Sequence, residues 1–186
     1  MIYIDIDNTI AASDEYLKSL NSRALENTHL LFKTLYKYQD KVFLNSPPMV
    51  NIEDILNLKE PYTLLTALPN RKSIDSFCKD SQETDKTLRT FHDNKVAWVK
   101  KYFGDTCKLI IVDKKASKAD FCKLPTDILI DDSLSSGKEW QKAGGVFYSS
   151  FANYLSNLPE KLLGKTNVQL EVAEDNNLQE GKVDLW

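Results

Sequence analysis

Ile2-Tyr3-Ile4-Asp5-Ile6-Asp7-Asn8-Thr9 is an apolar run that ends in two carboxylates and a threonine. In an extended chain the side chains at i and i+2 share a face, so Asp5 and Asp7 are placed to enter one pocket. One can attack an electrophile while the other moves a proton. Asn8 stands where the chain must turn, and asparagine tolerates the left-handed region. Thr9, taken alone, reads equally well as the N-cap of a following helix.

Four further apolar runs resemble the first, at 62–65, 109–112, 128–130 and 146–148. Helix-like or polar segments separate most of them, and Gly144-Gly145 precedes the last. Strands that alternate with helices need crossover connections, which predicts an α/β, Rossmann-like core with a parallel five-stranded sheet. A second acidic element, Asp131-Asp132, follows directly after Ile128-Leu129-Ile130. Parallel α/β sheets bind ligands beyond the carboxyl ends of their strands. Asp5, Asp7, Asp131 and Asp132 are therefore expected to meet at one edge. Four carboxylates in one place repel one another unless a cation compensates, and a hard divalent ion such as Mg²⁺ suits oxygen ligands.

Between the first two runs, Leu17, Leu20, Ala24, Leu31, Leu35 and Tyr38 recur at near-helical spacing, which predicts one long or two shorter helices over 14–38. Pro47-Pro48 interrupts the chain, and Ile52, Ile55 and Leu56 suggest another short helix. The insert is too long for one crossover, so 13–59 reads as a small helical cap inserted after strand 1. The core is expected from 1–12 and 60–164, and 165–186 as a polar tail. Val96, Val99 and Phe103 mark a helical face that stops at Gly104, and a helix over 134–143 stops at Gly144.

A phosphate pocket is expected at the end of the second strand, where Thr66 offers a hydroxyl and Ala67 a backbone N–H. A lysine should balance the negative charge. Lys118 is favoured because it opens the segment Lys-Ala-Asp-Phe-Cys, Lys114 is its rival, and Lys115 lies in the same stretch. Tyr16, Phe32, Tyr36, Tyr38 and Phe43 are the aromatic stock of the cap, most of it expected to be cap core. Arg71 and Lys72 either touch ligand or form a solvated helix start.

The chain has 186 residues, 42% of them hydrophobic and 27% charged, which suits one globular domain with a small insert. A net charge of −3 lacks the basic excess of a broad nucleic-acid surface, so nucleic acid is not an expected partner. Asp5 and Asp7 interrupt the apolar N-terminal stretch, against a signal peptide, and no apolar run reaches membrane-spanning length. Cys78, Cys107 and Cys122 are odd in number and widely spaced, as expected of reduced thiols in a cytoplasmic protein. With only His29 and His92, a histidine-based zinc site is not expected.

These elements, in this order, resemble the four motifs of haloacid dehalogenase-like phosphatases: Asp5-Ile6-Asp7-Asn8-Thr9, then Thr66, then Lys118 or Lys114, then Asp131-Asp132. The likeness covers about residues 1–150. Residues 94–104, together with Leu129-Ile130-Asp131-Asp132, Trp140 and Ala143-Gly144-Gly145, are most similar to the 5′(3′)-deoxyribonucleotidase group. In that group a Thr-Ser pair is common where this chain has Thr66-Ala67.

The resemblance implies a Mg²⁺-dependent hydrolase of nucleoside monophosphates. Asp5 would be the nucleophile and Asp7 the acid and base. Thr66, Ala67 and a lysine would hold phosphate. Asp5, Asp131, Asp132 and the Asp7 main-chain carbonyl would lie around the metal. A polynucleotide-end or small-metabolite phosphatase, or a non-catalytic phospho-ligand module, is the alternative. The oligomeric state is left open, with a homodimer among the options.

Overall fold

The computed structural model describes residues 1–158; the expected tail at 165–186 lies outside the described residues. The five apolar runs form one sheet of parallel strands: β1 (Ile2–Ile4), β2 (Tyr62–Ala67), β3 (Leu109–Val112), β4 (Ile128–Ile130) and β5 (Val146–Tyr148). Their order across the sheet is β3-β2-β1-β4-β5. The chain thus builds outward from β1 in one direction, then returns to lay β4 against its other side. That reversal opens a crevice between the ends of β1 and β4, the place where open parallel sheets take their ligands.

Both faces are covered, as an all-parallel sheet requires. On one face Ile2, Ile4, Leu64 and Ile130 pack with Trp98, Val99 and Phe103 of α6 (Ser81–Phe103) and with Phe151 and Tyr154 of α8 (Phe151–Ser156). On the other, Leu65 and Leu129 pack with Trp140 of α7 (Leu134–Lys142). The stops expected at Gly104 and Gly144 hold: both adopt positive φ, 79° and 97°, where a Cβ would be strained.

The cap segment contains two helices over the stretch expected, α1 (Ser13–Leu20) and α2 (Thr28–Lys37), followed by α3 (Val42–Asn45) and α4 (Ile52–Leu56). Its apolar residues do not form a closed core of their own. Leu17, Leu31, Leu35, Val42 and Phe43 share a cluster with Ile74 of α5 (Arg71–Asp75) and Phe91 of α6. Ile55 of α4 packs instead into the main core. The reason is α6, whose 23 residues run past the sheet and present one stripe to each cluster. The Trp98 indole N–H donates to the Ser46 carbonyl at 2.7 Å, tying the insert to this helix.

Two boundaries differ from the expectation. The apolar pattern of the first run carries a strand over residues 2–6, but β1 ends at Ile4, so Asp5 and Asp7 lie in the turn that follows it. β2 runs on to Ala67, which keeps Thr66 inside the strand.

Candidate functional site

The turn after β1 is built by hydrogen bonds that leave its carboxylates free to face the crevice. The Asp5 amide donates to the Ile130 carbonyl at 2.8 Å, which places Asp5 beside the end of β4. Asn8 adopts φ 56°, the left-handed conformation expected of it, and its side-chain oxygen accepts from the Asp14 amide at the start of α1. Thr9 does not cap that helix. It is buried, and its hydroxyl oxygen accepts from the Asp132 amide at 3.0 Å, fastening the first acidic element to the second.

Asp5, Asp131 and Asp132 each offer a carboxylate oxygen, and these oxygens lie within 4.8 Å of one another. Asp5 and Asp131 are buried, while Asp132 is exposed at the mouth. Lys118 is buried beside them, with its ammonium 2.7 Å from Asp5 Oδ1 and 2.7 Å from Asp131 Oδ2. The contact to Asp131 is a directed hydrogen bond. Asp5 Oδ1 is fully shielded from solvent, and the Lys118 ammonium is its partner there. Asp131 Oδ1 accepts from the Ser133 amide at 2.8 Å, which locks that carboxylate in place.

Burial pushes Asp5 up to about 6; Lys118 pulls against this, and the charges of Asp131 and Asp7 add to it. Desolvation, with the charges of Asp5 and Asp131, pushes Asp132 up to about 7. Burial alone would lower Lys118, but Asp131 and Asp5 outweigh it and hold the ammonium above the ordinary lysine value. Three carboxylates offering hard oxygen donors, crowded around a single buried ammonium, fit a hard divalent cation such as Mg²⁺.

Asp7 stands apart from that trio. Its carboxylate meets the Lys95 ammonium and the Thr66 hydroxyl, which donates to Oδ2 at 3.2 Å; Ser13 donates to Oδ1 at 2.9 Å. The side chain of Asp7 is thus held by donors, while the clustered carboxylate oxygens belong to Asp5, Asp131 and Asp132. Thr66 is fully buried at the end of β2, and Ala67 follows it as the last strand residue.

Of the two lysines left open by the sequence, Lys118 enters the site, whereas Lys114 is exposed. Lys118 does so from the middle of a 3-10 helical segment, Lys115–Phe121, and not from a helix start. Arg71 is exposed and pairs with Asp85, at 2.5 Å. Phe32 and Phe43 are buried cap core, and Tyr36 donates its hydroxyl hydrogen to Glu83 at 2.8 Å.

Lys95, Ser13 and the Thr9 tie were not anticipated. For Lys95 a signal existed. It falls on the stripe with Phe91, Trp98 and Val99, the buried face of α6, where a lysine needs a partner. No family model matches this chain, and no curated protein matches it.

Proposed function

We propose that this chain is a divalent-cation-dependent phosphomonoesterase that works through an aspartyl-phosphate, with nucleoside monophosphates as its substrates. The observation that carries the reading is Asp5. It is a buried carboxylate at the sheet's reversal point, paired with the Lys118 ammonium and crowded by two further acids. The nucleoside part rests on the resemblance of residues 94–104 and 129–145. Three free cysteines accord with a reducing, cytoplasmic setting.

Asp5 attacks phosphorus, and the bond from phosphorus to the ester oxygen breaks. Asp7, held within reach of Thr66, gives a proton to the departing alkoxide. A water then attacks the aspartyl-phosphate and passes a proton to Asp7, which releases inorganic phosphate, frees the Asp5 carboxylate and returns Asp7 to its protonated form. Thr66 and the Ala67 N–H hold phosphate oxygens, and Lys118 offsets the charge that develops near Asp5. Asp5, Asp131 and Asp132 would hold a divalent ion, which would supply the charge neutralisation that lets an anionic nucleophile meet an anionic ester.

The test is a turnover screen over ribo- and deoxyribonucleoside monophosphates, a 5′-phosphorylated oligonucleotide, sugar phosphates and an aryl phosphate, with Mg²⁺ or with chelator. Mg²⁺-dependent release of phosphate, fastest from mononucleotides and abolished in Asp5→Asn, is expected. Preference for the oligonucleotide or a sugar phosphate would move the substrate assignment and keep the chemistry. No turnover of any ester would leave a phospho-ligand-binding module in its place.

A further inference from the structure

Lys95 is the site's second buried cation, and the chemistry just described does not use it. It is 0% exposed in the middle of α6. Its ammonium contacts Asp7 Oδ2, donates to Thr66 Oγ at 3.0 Å, and lies 4.2 Å from the centre of the Phe43 ring. A lysine is almost never fully buried without a partner. Its helical neighbours Phe91, Trp98 and Val99 are core residues, so the position is one where an apolar side chain would pack at less cost.

The donor inventory gives Lys95 a definite task. An ammonium has three donors and no acceptor. Thr66 Oγ accepts from it, so the Thr66 hydroxyl hydrogen must point elsewhere: to Asp7 in the free chain, or to an incoming anion. Asp7 is likewise surrounded by donors, with Lys95 and Thr66 on Oδ2 and Ser13 on Oδ1. Four carboxylates share the crevice, and a divalent ion draws any that can reach it. Lys95 competes for one of them. The three that cluster are Asp5, Asp131 and Asp132, and the one outside the cluster is the one Lys95 holds.

We propose that Lys95 is a positioning residue, which keeps the Asp7 carboxylate off the cation cluster and aimed at the leaving oxygen, and makes Thr66 an obligate donor to phosphate. This rests on the phosphatase reading above. The step it governs is the transfer of a proton from Asp7, which enters the cycle as the neutral acid, to the ester oxygen as the bond to phosphorus breaks; Asp7 is then the carboxylate that takes a proton from the attacking water. That transfer matters most for a poor leaving group. An alkyl alkoxide needs the proton, whereas p-nitrophenolate leaves without it.

The test compares kcat/KM for a nucleoside monophosphate and for p-nitrophenyl phosphate in the full-length chain and in Lys95→Met, with Mg²⁺. This ratio reports the step that forms the phosphoenzyme and releases the alcohol. The variant should lose about a hundredfold on the alkyl ester and no more than about tenfold on the aryl ester, the scale of a lost general acid. Equal losses on both esters, or none on either, would overturn the role while leaving the phosphatase reading intact. A wild-type chain inactive on both esters would remove the phosphatase reading, and this role with it. If Lys95→Met does not fold by circular dichroism and thermal melting, Ser13→Ala withdraws the side-chain donor on the other oxygen of Asp7, Oδ1, without exposing a buried charge. It should shift the same ratio in the same direction, and an unchanged ratio counts against the proposal.

Discussion

The Thr9 hydroxyl oxygen accepts the Asp132 amide hydrogen at 3.0 Å, across 123 residues of sequence. Thr9→Val keeps the shape and removes the acceptor, which strands a backbone donor at the edge of the crevice. The expected cost is about 1–3 kcal/mol in chemical denaturation, with Mg²⁺ binding weakened because Asp132 loses its tether. Thr9→Ser should behave nearly as the wild type. A Thr9→Val chain with unchanged stability and unchanged Mg²⁺ affinity would show that the bond carries nothing.

The pH dependence of stability follows from the raised acids. Asp5 at about 6 and Asp132 at about 7 both sit above an unfolded aspartate at about 3.9. Between about pH 4 and pH 7 the folded chain therefore binds more protons than the unfolded one, so its stability falls as pH rises. Asp127 has the opposite sign. Despite burial, the amides of Lys123 and Leu124 hold it low, so its contribution is complete once pH is above its unfolded value. In chelator, melting temperature should drop from pH 5.5 towards pH 7.5. Added Mg²⁺ should restore it most at the upper end, where the acids are free of protons.

Lys118 and Lys114 should separate cleanly. Lys118→Met leaves Asp5 and Asp131 buried without their ammonium, a loss of about 3–5 kcal/mol for a broken buried pair. Lys114→Met changes an exposed residue and should stay within about 0.5 kcal/mol. Urea titrations of the two variants decide it, and similar midpoints would remove Lys118 from the site.

Much of this arrangement is legible in the sequence, and its failures have physical causes. Short apolar runs such as Ile128–Ile130 stand out because a strand buried on both faces has no polar alternation to blur it. The acids at strand ends follow from the same pattern. The end of β1 is hidden in the sequence because Ile6 is apolar and buried like a strand residue, yet its carbonyl accepts from the turn residues Thr9, Ile10 and Ala11. Lys95 was passed over because a lysine in a polar helix is normally solvated, and only its register with Phe91 and Trp98 marks it otherwise. Thr9 matched the generic preference for a cap, whereas its partner is set by a strand more than a hundred residues away, which no local pattern encodes.

Gly137 supplies a test of packing remote from the chemistry. A Cβ there would lie 2.5 Å from Phe147 Cε1 and Cζ, where α7 leans on β5. Gly137→Ala gains about 1 kcal/mol of helix propensity. Overpacking costs about 1–3 kcal/mol, so the net change should destabilise. A variant that melts higher than the wild type would mean the ring swings aside freely.

Because β1 lies at the centre of the sheet, the strand of this sheet that is synthesised first gains its second neighbour only when β4 has been made. Until then the Asp5 amide lacks the Ile130 carbonyl and the Asp5 carboxylate has no fixed address. Early synthesis therefore yields a nascent chain with acids but no crevice. Non-local pairing of this kind is slow to form, so competence should appear late in folding, and all at once.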